Sequence, residues 1–291
     1  MIHDGRQQQL HDTGHARIAA MAIPYQGATS PAPILEARTV SYAVNGKTLI
    51  AQVSLALQPG EVLVIVGPNG AGKTTLLNLL TGDLRPDQGE VLLDGVALRQ
   101  ISNREQARQR AVMRQRFSIS FPFTAMEVVL MGRHPHLQKQ RERSDDVAIA
   151  RQALACTQAL LFETRTFPTL SGGEQTLVGL ARVLAQTTPI LLLDEPTAAL
   201  DLRHQHTILR LARAVAAAGG SVLAILHDLN LAAAYADRIG LLSNGQLVAL
   251  GTPWDVLDAR HLADVYQVQV VVQAHPTLAT PLVLVLPEAE G

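Results

Sequence analysis

The chain has 291 residues, with 24 Lys+Arg against 25 Asp+Glu and a formal net charge of −1. Hydrophobic residues make up 47% and charged residues 17%, which excludes disorder of the whole chain and allows one large domain or two small ones around a real core. The balanced charge offers no basic run to neutralise several phosphates at once, so nucleic acid is not expected as a partner.

Residues 1–33 are polar, of mixed charge and end in Thr-Ser-Pro-Ala-Pro, the texture of a flexible tail. The apolar stretch Ile18 to Ile23 is short and lacks a strongly basic lead-in, so it does not read as a signal peptide. His3, His11 and His15 lack carboxylate partners at helical spacing and read as solvated rather than metal-bound.

From Ile34 the texture changes to short β-type segments, Ile34 to Tyr42, Leu49 to Leu57 and Glu90 to Leu93, the last running into the turn pair Asp94-Gly95. These predict an antiparallel strand layer. Three other runs, Val62 to Val66, Ile190 to Leu193 and Val222 to Leu226, are short, continuous and rich in Val, Ile and Leu, and each precedes a helical pattern. They read as buried parallel strands of an α/β sheet. From about 105 to 170 the pattern turns polar and helical and carries the insert Phe121-Pro122-Phe123, which reads as a helical insertion. No apolar run approaches the roughly 18 residues of a membrane span. The single cysteine, Cys156, permits no internal disulfide and reads as a small packing residue.

The segment Gly67-Pro68-Asn69-Gly70-Ala71-Gly72-Lys73-Thr74-Thr75 stands between the strand Val62 to Val66 and the helical run Leu76 to Leu80. It fits a phosphate loop. Its glycines let backbone N–H groups converge on phosphate oxygens, the helix N-terminus adds positive potential, Lys73 can reach the β and γ phosphates, and Thr74 can offer a hydroxyl to Mg²⁺. Its four fixed positions should arise by chance in only about one chain in a hundred of this length. A second run, Ile190 to Leu193 followed by Asp194-Glu195-Pro196, puts two carboxylates at the carboxyl end of an apolar strand, the edge where ligands sit in open α/β sheets. Asp194 can hold the Mg²⁺ shell, and Glu195 can polarise a water for attack on the γ-phosphate. The third run ends at His227-Asp228, where the histidine can either donate to a γ-phosphate or serve structure alone. Leu170-Ser171-Gly172-Gly173-Glu174-Gln175, ahead of the helical stretch Val178 to Ala185, is a second anion cradle at a helix N-terminus. One nucleotide cannot easily occupy both cradles unless two chains meet.

With phosphate loop, Leu-Ser-Gly-Gly-Glu signature, acidic pair, Leu200-Asp201 and His227 in this order, the sequence resembles the ATP-binding subunits of ABC transporters over about residues 34–260. The resemblance implies an ABC ATPase domain, a P-loop NTPase core of α/β class with an antiparallel β layer and a helical insertion. Residues 261–291 then form a C-terminal extension. It implies Mg²⁺-dependent ATP hydrolysis, with two copies stacked head to tail so that ATP lies between the phosphate loop of one and Ser171, Gly172 and Gly173 of the other. It assigns Tyr42 to adenine stacking, Gln115 to sensing Mg²⁺ and the attacking water, and Asp201 to the partner chain near the nucleotide. Two positions depart from the family: Arg114 precedes Gln115 where proline is usual, and Thr176-Leu177 follows the signature where Gln-Arg is usual.

The stretch Ser118 to His136, Ser-Ile-Ser-Phe-Pro-Phe-Thr-Ala-Met-Glu-Val-Val-Leu-Met-Gly-Arg-His-Pro-His, resembles importers of iron chelates and cobalamin, most closely those of haemin, and the stretches Val265 to Pro276 and Pro281 to Val285 resemble the haemin group as well. This resemblance implies integral membrane permease partners, a periplasmic or surface substrate-binding protein acting indirectly, and a place on the cytoplasmic face of the cell membrane. Ferric siderophore or cobalamin import is the alternative within the class. A soluble ATPase switch acting on nucleic acid or ribosomes is the alternative outside it, disfavoured by the lack of zinc cysteines, long coiled coils or a second ATPase unit. His134 and His136 admit haem ligation or a loop docked on the permease. Arg133, Lys139, Arg141 and Arg143 read as a solvated face that could favour an anionic leaflet.

Overall fold

A computed structural model describes residues 32–115, 119–137, 144–198 and 200–287. The tail through residue 31, Ser118 and the cations Lys139, Arg141 and Arg143 lie outside the described residues. The described chain forms two compact units, one of Ser102–Val222 and one made of residues 32–101 and 223–287.

In the second of these units, β1 (Leu35–Val44) and β2 (Lys47–Leu57) form an antiparallel hairpin through Asn45-Gly46, both with positive φ (51° and 77°). That pair is the favoured two-residue hairpin turn because its twist matches the strands. Strand β3 (Val62–Val66) is buried throughout and runs through the glycine-rich loop into α1 (Lys73–Leu80). β4 (Gln88–Leu93) pairs antiparallel with β1 and turns at Asp94-Gly95 into β5 (Val96–Ala97), giving the order β2-β1-β4-β5. The antiparallel layer is as the sequence predicts.

The Ser102–Val222 unit begins with α2 (Asn103–Gln109), started by a reciprocal Ser102/Glu105 cap. It continues in β6 (Arg110–Met113), a strand inside the stretch expected to be helical. Four residues are too few to show a period. Parallel pairing with a fully buried neighbour, β7 (Ile190–Asp194), overrides the polar helical texture around them. Between them come α3 (Ala125–Leu130), a 3₁₀ segment Met131–His136, α4 (Ser144–Cys156) and α5 (Gly172–Ala185). α6 (Leu202–Ala217) follows β7, and β8 (Ser221–Ile225) leads back to the other unit.

That unit is completed by α7 (Leu229–Tyr235), β9 (Arg238–Ser243), β10 (Gln246–Gly251), α8 (Pro253–Val256) and α9 (Ala259–Tyr266). β3 lies parallel to β9, which pairs antiparallel with β10. The chain closes on a hairpin of β11 (Val270–Ala274) and β12 (Pro281–Val285). The Asn230 carboxamide fastens it, donating to the Val283 carbonyl at 3.1 Å and accepting its N–H at 2.8 Å. Among the described residues no helix is long and apolar enough to cross a membrane.

Candidate functional site

The phosphate loop is shaped by three glycines with positive φ, Gly67 (151°), Gly70 (78°) and Gly72 (101°). Gly67 has a second reason: a Cβ there would stand 2.1 Å from the Leu242 carbonyl oxygen of β9. The loop bends over α1, where Leu76 N–H donates to the Gly72 carbonyl at 2.8 Å. Lys73 is buried, and its ammonium donates to the carbonyls of Gly67 (2.7 Å) and Pro68 (2.9 Å), which keeps the cation over the loop. Asn69, Gly70 and Thr74 are exposed, and Pro68 and Thr75 half-buried. Ala71 is buried, and its carbonyl accepts from the Gly245 N–H at 2.9 Å, pinning the loop to the β9–β10 turn.

His227 lies just beyond β8, exposed. The preceding Leu226 N–H donates to the Ile65 carbonyl at 3.1 Å, so His227 follows a residue bonded to the strand that enters the phosphate loop. Tyr42 is half-buried on β1, beside an irregularity in the β1–β2 register.

In the Ser102–Val222 unit, Asp194 ends β7 and is only 2% exposed. Met113 stands opposite Leu193 in the parallel register, so Gln115 and Glu195 each lie two residues past a matched pair. The Gln115 carboxamide accordingly donates to the Glu195 carboxylate. Glu195 has a left-handed backbone, φ 48°. A side chain in that region costs about 1 kcal/mol, the kind of strain that collects at functional sites. Gln115, Asp194 and Glu195 line a pocket of about 210 Å³ together with Gly172, Thr176, Arg114 and Arg182. Burial holds the Arg182 guanidinium below its usual pKa. The two departures at Arg114 and Thr176 therefore sit in the pocket lined by Asp194 and Glu195.

Ser171 caps α5: its hydroxyl accepts from Glu174 N–H at 3.4 Å, while Glu174 accepts from Ser171 N–H at 2.7 Å. That N–H bond, first, and the Ser171 hydroxyl hold the Glu174 carboxyl below the usual range. Ser171 and Gly172 are exposed and Gly173 half-buried. A Cβ on Gly172 would meet nothing within 4 Å, and its φ is not positive. Among the described residues nothing requires that glycine. Asp201 is a helix cap as well as a candidate contact: its carboxylate accepts from His204 N–H at 2.9 Å and pairs with His204 Nδ1 at 2.8 Å.

One sequence expectation is corrected here. Arg133 is no solvated cation: it is 7% exposed and paired with Asp146 at 2.8 Å. His136, read as a haem-ligand candidate, places Nε2 2.8 Å from the Gln186 carbonyl, so this nitrogen carries the proton and donates. Burial, ahead of neighbouring charges, pulls the ring below its ordinary pKa and favours that neutral donor. His134 is exposed.

A strand, a glycine-rich loop over a helix N-terminus with its lysine, and a strand ending in Asp-Glu define a P-loop nucleoside triphosphatase. The model of the ABC transporter family matches residues 50–198, and the chain belongs to that family as an ATP-binding, ATP-hydrolysing transporter subunit. The chain is 48% identical over 275 residues to the hemin import ATP-binding protein HmuV of Thermobifida fusca, covering 94% of this chain and 95% of that one. It is 51% identical to HmuV of Nocardia farcinica, over 82% of each chain. Among solved structures, a metal-chelate type ABC transporter in an inward-facing conformation superposes with a TM-score of 0.76 at 28% identity, over 88% of this chain and 98% of that one. A bacterial ABC transporter cassette solved as a dimer superposes with a TM-score of 0.69 at 27% identity, over 75% and 98%.

Proposed function

We propose that two copies of this chain close head to tail on two ATP molecules and so drive haemin uptake through a membrane permease, at the cytoplasmic face of the cell membrane. The observation that carries the closed pair is Gly172. An exposed glycine at the start of a helix, with open space where its Cβ would be, lowers helix propensity for no gain among the described residues. It leaves the amides of Gly172 and Gly173 accessible to an anion brought by another molecule.

In this reading Lys73 leaves the Gly67 and Pro68 carbonyls for the β and γ phosphates, and the amides of residues 69–75 cradle them. Tyr42 stacks on adenine. Mg²⁺ prefers hard oxygen donors and keeps part of its water shell, which suits the Thr74 hydroxyl and the buried Asp194 carboxylate, with Gln115 nearby. When bound, the ion neutralises charge on the β and γ oxygens. Glu195 accepts the proton of the attacking water, Gln115 orients the carboxylate and the water, and His227 donates to the γ-phosphate. The second copy contributes its Ser171-Gly172-Gly173 cradle and its Asp201 loop.

Haemin as cargo is supported by the names of relatives about half identical over most of the chain. A substrate-binding protein delivers it to the permease from outside. The test is reconstitution with the permease in liposomes: ATPase activity should rise with a haemin-loaded binding protein. Stimulation by a loaded siderophore- or cobalamin-binding protein alone reassigns the cargo, and co-purification with nucleic acid in place of a permease overturns transport.

A further inference from the structure

We propose that the segment Gly132–His136 is a strut that positions α5, the helix bearing Ser171–Gly173, from its far end, with Arg133 as the positioning residue. This rests on the function proposed above and concerns how its signature cradle is held.

The last carbonyls of a helix lack partners within the helix and carry its negative dipole end. At α5 the Val183 and Leu184 carbonyls accept from the N–H groups of Gln186 and Thr187, and the Ala185 and Gln186 carbonyls are met by side chains of this one segment. Arg133 donates to the Ala185 carbonyl at 2.8 Å and to the Thr187 hydroxyl at 2.7 Å, while its Nε donates to Asp146 of α4 at 2.8 Å. His136 donates to the Gln186 carbonyl at 2.8 Å. Gly132 touches α5 so closely that a Cβ would stand 2.2 Å from the Arg182 carbonyl oxygen.

The same segment is tied on its other side. Arg108 of α2 donates to the Pro135 carbonyl at 3.0 Å, and Arg104 to that of Leu137, the residue just after the segment, at 2.8 Å. Gln186 donates to the carbonyls of Ala107 (2.6 Å) and Arg110 (2.9 Å), at the entry to β6. β6 leads to Gln115, which bonds Glu195. The strut therefore bonds the end of the helix of the anion cradle directly and reaches β6 only through Gln186 and through α2. A buried Arg–Asp pair is a poor source of stability compared with apolar residues of similar size, whereas its directional bonds fix one geometry. Its place here is explained by orientation. Coupling through such a chain of bonded groups is testable as an effect on turnover separate from folding.

The experiment replaces the pair by apolar residues, Arg133→Met with Asp146→Leu, in the full chain. Melting temperature, ATP affinity and ATPase kinetics are measured, with ATP-driven dimerisation followed in the Glu195→Gln background. The double variant should melt near the parent and bind ATP within about twofold, while kcat falls at least about fivefold and dimerisation weakens in step. A double variant that melts near the parent and turns over within about twofold of it overturns the proposal. If the double variant does not fold, Thr187→Ala removes one acceptor and Thr187→Ser keeps it. A drop of about two- to threefold in kcat for alanine, restored by serine at equal melting temperature, supports the strut, and equal kcat for both overturns it. Failure of Glu195→Gln alone to dimerise with ATP refutes the head-to-tail reading and leaves the kcat comparison standing as the test of the strut.

Discussion

The Gln115 carboxamide donates to the Glu195 carboxylate across a separation of 80 residues, because β6 and β7 run parallel and end in register at Met113 and Leu193. A carboxylate held this way has one oxygen oriented by a neutral donor. Glu195→Gln should therefore bind ATP and collect as a closed dimer while turnover falls by about 10²- to 10⁴-fold, the range for loss of a general base. Light scattering with and without ATP, beside an ATPase assay, checks this. A variant that stays monomeric with ATP, or keeps parental turnover, refutes the assignment.

Lys73 is already poised by the two carbonyls at the root of its loop. Lys73→Ala removes the loop's cation, and if that cation meets the phosphates as proposed, kcat/KM for ATP should fall at least about 100-fold. Unchanged steady-state kinetics take Lys73 out of the site.

Two glycines should respond in opposite ways. Gly67→Ala puts a Cβ against the Leu242 carbonyl oxygen at a φ of 151°, and should destabilise the chain by at least about 2 kcal/mol in denaturant melts. Gly172→Ala meets nothing within 4 Å and relieves a helix of its glycine, so melting should hold steady or rise, by up to about 1 kcal/mol of stability. Its ATPase activity should nonetheless drop at least about tenfold if, as proposed, the second copy's nucleotide docks on this helix start. Retained activity in Gly172→Ala removes the support for the closed pair.

Acid should weaken the fold through its helix caps. Glu105, Glu127 and Glu174 each accept the N–H and hydroxyl of a capping Ser or Thr, and each titrates below its ordinary 4.5. The ionised form is favoured by folding, so this contribution is complete above pH 4.5 and is lost as pH falls through the lower folded values. Melting temperature should decline on acidification below about pH 4.5, and Glu127→Gln should make that decline shallower while lowering stability near neutrality. A slope unchanged by the substitution excludes this cap as a contributor.

The phosphate loop, the acidic pair and the signature were legible in the sequence because each is a run of consecutive residues: one loop before a helix, two carboxylates at one strand end, the first turn of one helix. The buried runs that became β3, β7 and β8 were legible for a similar reason, since a strand covered on both faces is apolar at every position. β6 was not. Its pattern, alternately half-buried and buried, is only four residues long and is set by a neighbour far away in the chain.

Sequence by itself thus determined the candidate nucleotide groups, and that a single chain carries one phosphate loop and one signature. Tertiary structure alone decided that Gln115 meets Glu195, that Arg114 and Thr176 share their pocket, and that Arg133 is a buried partner of Asp146. Those relations depend on strand register and helix packing between distant segments. A cation surrounded by other polar residues in sequence looks solvated until the fold brings a carboxylate and a helix end against it.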